Sequence, residues 1–526
     1  MNHIELFAGC GGLSLGLHAA GFELLLANEL SPMASESFAY NFFNEDFEAL
    51  ADNNQMPVNA LWLSSNYSNL KPRLRENPFT YPSINNGYSE LPKEHHKLKG
   101  KLLVGSISEL NKLLISNVEL AKVLSEGFDH GTDLDLVSGG PPCQSFSMAG
   151  LRNKDCDKNT LPWEFAKFVS IVRPKIAMLE NVTGILRAFK DTDGNSYHAW
   201  YEVAKAFASV GYVPVCLHIN AKYAGVPQNR PRFIMISLRT DFFEKVLAYY
   251  SSDQSTYAIL SQSIDFYEKV KVKGTSLEFG FLNIFDASKP LHRDLIKSSF
   301  LSGLVDSDLV SVRNALDDLK LTKPALQSSY VKENNDLFSF LPQRDALNNH
   351  HPRVNGDVVR RRFRIYQTLQ RIDDTSVTKD VFAVLKGNAD HLSDSTWIKC
   401  SKYDYLHADN SLRGFDAKKD FVDYLKLHPT KKQTQKALNA DAPAPAALSI
   451  PDDACHYDDN ELRVLTVREM ARIQSFPDNF VFRSKVTTGG QMRKFEVPQY
   501  TQVGNAVPPL LGFKLGCCIS KLLKVC

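Results

Sequence analysis

Short apolar runs alternating with amphipathic stretches of helical length fill the first 240 residues. Apolar residues concentrate at 3–8, 22–28, 102–104, 134–138, 176–180, 212–219 and 233–238, each run bounded by turn-forming residues, and these read as buried strands. Between them, 13–20 and 197–210 carry apolar residues at helical spacing and stop at Gly21 and Gly211, which predicts helices with glycine ends. Strand and helix in alternation predict an α/β fold on a doubly wound sheet. The pattern fails over residues 45–101, where Asn, Pro and Tyr are scattered without period, as in an insertion or a partly ordered loop. From 241 to 462 the α/β rhythm is lost over a length that suits a second domain better than a loop, with 431–447, rich in Lys, Ala and Pro, as a flexible part. Thr466-Val-Arg-Glu469 fits a capping box that opens a helix ending before Pro477. The reading is therefore a domain at 1–240, a second at 241–462, and a return segment at 463–526.

Composition narrows the class. Apolar residues make up 43% of the chain, enough for large cores, and no apolar stretch approaches the roughly 20 residues of a membrane-spanning helix. A soluble cytoplasmic protein is expected, with no membrane partner. Nine cysteines occur without a Cys-x-x-Cys pair, which argues for reduced thiols and against a disulfide scaffold or a structural zinc site; no metal is expected. The net charge of +2 says little about partners. Locally, residues 353–371 hold six arginines and one acid, Asp357, either a solvated helix face or a nucleic-acid contact.

Several motifs carry chemistry. The first strand runs into Phe7-Ala-Gly-Cys-Gly-Gly12, a turn that lets backbone amides approach a ligand without Cβ interference. Glu29 follows 17 residues after Gly12 at the end of the next strand, where a carboxylate can bind both hydroxyls of a ribose. A nicotinamide enzyme would show the same pair. Ser138-Gly-Gly-Pro-Pro-Cys-Gln-Ser-Phe-Ser147 places Cys143 at the carboxyl edge of the sheet; a thiol there is either core filler or a nucleophile whose site favours the thiolate. Glu180-Asn-Val182 brings an acid to the same edge, and Gln228-Asn-Arg-Pro-Arg232 brings two guanidiniums suited to a ring oxygen or a phosphate.

Phe7-x-Gly9-x-Gly11, Glu29, Pro142-Cys143-Gln144, Glu180-Asn181-Val182, Gln228-x-Arg230-x-Arg232, the helix at 466–476 and Gln502-Val-Gly-Asn505 resemble, in that order, the motif series of DNA cytosine-5 methyltransferases of the bacterial restriction-modification type. The resemblance covers residues 3 to about 240 and 462 to 515. It implies a Rossmann-like S-adenosylmethionine-dependent methyltransferase sheet with a second, smaller target-recognition domain. It implies S-adenosyl-L-methionine as cofactor and S-adenosyl-L-homocysteine as product, held by Phe7, Gly9, Cys10, Gly11, Gly12, Leu13, Glu29, Ser106, Ile107, Pro142, Asn505, Ala506 and Val507. Cys143, Glu180, Arg230 and Arg232 are its catalytic group, acting on a cytosine flipped out of double-stranded DNA. Gln144, Ser147 and Arg152, on the loop behind the base, and Arg360, Arg361, Arg362 and Arg364 are its DNA contacts. The chain departs from the family at Ser106, where an Asp usually accepts a hydrogen bond from the adenine amine. The resemblance further suggests a monomer that protects DNA from a partner restriction endonuclease. Cytosine methylation in RNA, or a catalytically silent DNA-binding protein of the same fold, are the alternatives; the large central region weighs against the first and the presence of Cys143, Glu180 and Arg232 against the second.

Overall fold

The computed structural model describes residues 1–142, 160–190, 196–432, 435–446 and 448–525. Among them, nine strands form one large sheet: β1 (Asn2–Leu6), β2 (Glu23–Glu29), β3 (Ala60–Trp62), β4 (Lys101–Val104), β5 (Leu136–Gly139), β6 (Ile176–Val182), β7 (Tyr212–Asn220), β8 (Pro231–Arg239) and β9 (Ile284–Asp286). Their order is β9-β7-β8-β6-β5-β1-β2-β4-β3. All run parallel except β8, which is antiparallel to both neighbours. The carboxyl ends of eight strands and the start of β8 therefore share one edge, the ligand edge of open α/β sheets. Every strand read from the apolar runs is present, shifted by one or two residues at its ends.

Two stretches are better ordered than their sequence suggests. The insertion at 45–101 contains the helix Phe47–Asp52 and the edge strand β3, and its Trp62 is fully buried in a cluster with Ala27, Phe38 and Val104. Arg73, also fully buried, lies over the Trp62 ring and pairs with Glu90 at 2.7 Å. The polar residues that hide the period here are the ones that fasten the segment. The α/β rhythm also continues past residue 240. The helices Thr240–Tyr249 and Gln254–Lys273 bury Phe243, Ile259 and Phe266 in the core of the main sheet, and β9 pairs with β7. The long polar loops between these elements dilute the apolar signal.

A second core belongs to residues 363–464: the helices Asp357–Ile372, Thr375–Leu385, Asp394–Cys400 and Lys418–Lys426 pack around Phe363, Tyr405, Phe421 and Leu425. From it a strap leads back to the sheet. Lys436–Ala437 pairs with Ala454–Cys455, the carbonyls of Ala440 and Ala442 accept from Arg313 and Val312, and Ala444 exchanges backbone hydrogen bonds with Pro227 and Asn229. Residues 435–446, expected to be flexible, are thus tied down by ladder bonds; 433–434 and 447 lie outside the described residues. The capping box forms as read: Thr466 Oγ1 accepts from the Glu469 amide at 3.1 Å and Glu469 accepts from the Thr466 amide at 2.7 Å, opening the helix Val467–Ile473.

The return segment closes on the first helix. Helix Gly12–Ala19 lies against helix Pro509–Leu523 through glycines on both sides. A Cβ on Gly16 would stand 2.3 Å from the Pro509 carbonyl oxygen and 2.4 Å from the Phe513 nitrogen, and one on Gly516 would stand 2.6 Å from the Ala20 Cβ. Gly16→Ala forces these backbones apart. We expect a loss of about 3 kcal/mol, measured as a lower urea midpoint, whereas an alanine that left stability unchanged would show the two helices free to separate.

Candidate active site

The turn after β1 depends on left-handed backbone at three positions: Phe7 (φ 56°), Gly9 (φ 56°) and Gly11 (φ 98°). Each carboxylate oxygen of Glu29 accepts a backbone hydrogen bond, from Gly9 at 2.8 Å and from Ser31 at 2.7 Å. The carboxylate is thereby aimed across the turn, while burial pushes its pKa up against the three backbone donors that hold it down. No atom stands within 4 Å of where a Gly9 Cβ would be, so this side of the turn is open. The other side is closed, since a Cβ on Gly12 would meet the Val507 carbonyl at 2.3 Å. Of the residues assigned to the cofactor, Cys10, Leu13 and Ile107 turn their side chains into the core and can contribute only backbone. The Cys10 thiol faces the Gln502 carbonyl at 3.9 Å, and burial pushes its pKa well above the ordinary thiol value. Ser106 caps helix Ile107–Ser116, its Oγ accepting from the Ser108 amide at 3.2 Å, which explains a hydroxyl at this position without reference to any ligand.

The carboxyl end of β6 and the start of β8 assemble the charged group. Glu180 and Arg232 are both buried and form an ion pair at 2.6 Å. Next to them β5 runs out through Gly139-Gly140-Pro141-Pro142. A Cβ on Gly140 would come within 3.0 Å of Glu180 Oε2, so glycine is what lets this backbone pass the acid. Asn181 Nδ2 donates to the Pro141 carbonyl at 2.9 Å, fixing the turn that leads to Cys143. The sequence reading gave no role to Gly140 or Asn181, although both lie inside motifs it named. Pro142 is exposed at this edge. Cys143, Gln144, Ser147 and Arg152 lie outside the described residues.

Arg230, read as catalytic, reaches the return segment. Its guanidinium is buried and donates from Nη2 to the carbonyls of Gly504 (2.7 Å) and Ala506 (3.0 Å). It thus holds the exposed Asn505, half-buried Ala506 and buried Val507 against the glycine turn. Burial, then repulsion from Arg232, push its pKa far below the ordinary arginine range, and Glu180 opposes this. The neighbouring Gln228 is fully buried, donating to the Pro445 carbonyl of the strap at 3.1 Å.

The arginine-rich segment is helical as expected, on Asp357–Ile372, but its cations face different ways. Arg364 faces inward: it is buried, donates to the Asp404 carbonyl at 2.9 Å and pairs with Asp459. Arg362 donates to the Pro429 carbonyl. Arg360 is 3.5 Å from Asp357 with its side chain 40% exposed, and Arg361 is half-buried. Among the described residues no single helix is long and apolar enough to cross a membrane.

A parallel-dominated α/β sheet whose carboxyl edge carries a left-handed glycine turn, the Glu29 carboxylate and the buried Glu180–Arg232 pair defines the class: an open α/β fold with a polar ligand site at its strand ends. The family profile of C-5 cytosine-specific DNA methylases matches residues 1–61 and 115–521. The chain belongs to that family and is a DNA cytosine-5 methyltransferase of the restriction-modification kind. It is similar to the type II methyltransferase M.DdeI of Desulfomicrobium norvegicum, 25% identical over 97% of this chain and 86% of that protein. It is likewise similar to M.Bpa9945I of Bacillus paralicheniformis, 25% identical over 97% and 96%. A putative DNA modification methyltransferase from an E. coli prophage aligns over 100% of this chain and 99% of its own at 18% identity, with a TM-score of 0.45, too low to add to the sequence match.

One buried acid stands apart from the Glu180–Arg232 pair. Glu5, on β1 beneath the glycine turn, accepts a hydrogen bond from Ser14, and burial pushes its pKa up to about 8, Ser14 opposing and Glu29 adding to the rise. Between the ordinary carboxyl pKa and about 8, the folded chain keeps a proton that the unfolded chain releases, so stability falls as pH rises through this window. Glu5→Gln should flatten the fall and stabilise the protein at pH 8 by up to about 4 kcal/mol in urea unfolding. An unchanged pH profile would mean that Glu5 is ionised in the fold.

Proposed function

We propose that the chain transfers a methyl group from S-adenosylmethionine to C5 of a cytosine flipped out of a specific duplex DNA sequence. The observation that carries this reading is the buried Glu180–Arg232 pair at 2.6 Å, set on the same sheet edge as the Pro141-Pro142 turn entering Cys143. The cofactor fits the residues present: the open, left-handed Gly9, the half-buried Phe7 and the Glu29 carboxylate aimed across the turn are what an adenosyl ribose requires. Phe7, Gly9, Gly11, Gly12 and Glu29 would hold it, with Ser106, Pro142 and Asn505 to Val507 at its margins. When bound, it supplies an electrophilic methyl group. The chain supplies the rest. Cys143 as thiolate bonds to C6 of the ring, Glu180 engages N3 and the exocyclic amine, and Arg232 holds O2, so that charge is drawn onto the ring as the bond forms. Once C5 carries the methyl group, its proton passes to water, and the electron pair left behind re-forms the C5–C6 double bond as the Cys143 sulfur leaves as thiolate.

Flipping the base costs a few kcal/mol, which contacts to DNA must offset. We assign target recognition to the region 241–462, specifically to the part with its own core at 363–464, with Arg360 and Arg361 as the cations best placed to touch DNA and Arg362 restrained by Pro429. Gln144, Ser147 and Arg152 are proposed to line the opening behind the base. Action as a monomer in the cytoplasm, protecting DNA from a partner endonuclease, completes the reading.

Cys143→Ala is expected to abolish methyl transfer to duplex DNA while leaving the urea midpoint and S-adenosylhomocysteine affinity unchanged. Duplex DNA with 5-fluorocytosine at the target base is expected to form a denaturation-resistant adduct with the wild-type chain alone, since the fluorine cannot leave as a proton does. Near-normal methylation by the variant, or no adduct on a confirmed target, would overturn the mechanism.

A further inference from the structure

The carboxyl edge of the sheet carries a second charged group, beyond the Glu180–Arg232 pair. After β7 the chain turns through Ala221–Ala224, and Asn220 anchors this turn to the start of β8: its Nδ2 donates to Asn229 Oδ1 at 2.7 Å and its Oδ1 accepts from the Arg230 amide at 3.0 Å. Lys222 Nζ lies 4.9 Å from the centre of the Tyr223 ring. Arg293, from the helix Pro290–Lys297 that follows β9, stacks on the same ring at 4.1 Å and donates to the Ala287 carbonyl at 2.8 Å. Neither cation forms an ion pair with another described residue.

Of the neighbouring carboxylates two are engaged elsewhere, while Asp294 and Asp308 are exposed on the adjoining segments. Asp286 accepts from His218 and from the Ser288 amide, each at 2.9 Å, and Asp306 faces Lys297 at 3.6 Å. Partial burial pushes the Tyr223 phenol up, yet Arg293 and Lys222 outweigh it and hold the group below its ordinary value, a sign of strong local positive potential. Two half-buried cations beside one ring, neither in an ion pair with a described residue, leave positive charge free to take up an anion.

We propose that Lys222, Tyr223 and Arg293 form a subsite for a phosphodiester of the DNA backbone, flanking the base that is methylated. Lys222 and Arg293 supply charge, and the Tyr223 hydroxyl a hydrogen bond. Ile219 on β7 pairs with Arg232 on β8, and β9 is the next strand out, so Lys222 and Arg293 stand one to two strand spacings, roughly 5–10 Å, along this edge from Arg232.

The inference rests on the DNA reading above. The test is duplex binding by Lys222→Gln, Arg293→Gln and the double variant, measured against salt, with Lys245→Gln as a control on an exposed residue of the helix that follows the opposite end of β8. Each lost phosphate contact should lower the slope of log affinity against log salt by about one and weaken binding about fivefold at 0.15 M salt, so the double variant should lose about twenty-five-fold. S-adenosylhomocysteine affinity should not move, which reports an intact fold. Unchanged slopes in the double variant, or an equal loss in Lys245→Gln, would overturn the subsite while leaving the methyltransferase reading intact if the wild type still methylates DNA. A wild type that binds no duplex would overturn both.

Discussion

The site depends on the close approach of the two ends of this sequence. Gly12 and Gly16 bring the first helix within backbone contact of residues 507–513, closer than any side chain allows. The glycine turn that faces the open side therefore has the Val507 carbonyl as its back wall, and Arg230 secures that wall by binding the carbonyls on either side of Asn505. Removing either set of contacts would loosen the turn even though no residue that touches substrate had changed.

Electrostatics at the neighbouring edge follow from scarcity. Two buried guanidiniums, Arg230 and Arg232, stand near a single carboxylate, Glu180, and only Arg232 takes the ion pair. Arg230 is left with carbonyl dipoles, enough to orient it but less than a full counter-charge. Glu180 is in turn confined by Gly140, whose missing Cβ leaves room for the acid. Three local choices, a glycine, an acid and a carbonyl clamp, thus fix the arrangement of charge at this edge.

Much of this was legible in the sequence where the signal was local. Strands β1, β2, β5, β6, β7 and β8 announce themselves as apolar runs, and the Thr466–Glu469 capping box is written in four residues. What escaped was set by distant partners. Arg364 looks like its neighbours until Asp404 and Asp459, 40 and 95 residues further on, draw it inward. Strand β3 is too short for a period to show, and its Trp62 is explained only by the helix Phe47–Asp52 and the buried Arg73 around it. Arg230 and Arg232 stand two residues apart in one motif, yet Arg232 faces Glu180 and Arg230 the return segment, a division no spacing rule contains.

The interlocking ends also impose an order in time. On a ribosome adding roughly 5–20 residues per second, the turn at Gly9–Gly12 is made on the order of 25–100 s before the segment that backs it. Throughout that interval the nascent chain holds its motifs in sequence but lacks the packed helix Pro509–Leu523. The turn therefore lacks its Val507 wall until synthesis has passed that residue, and a fragment that stops earlier carries Gly9–Gly12 without the backbone that closes one side of it.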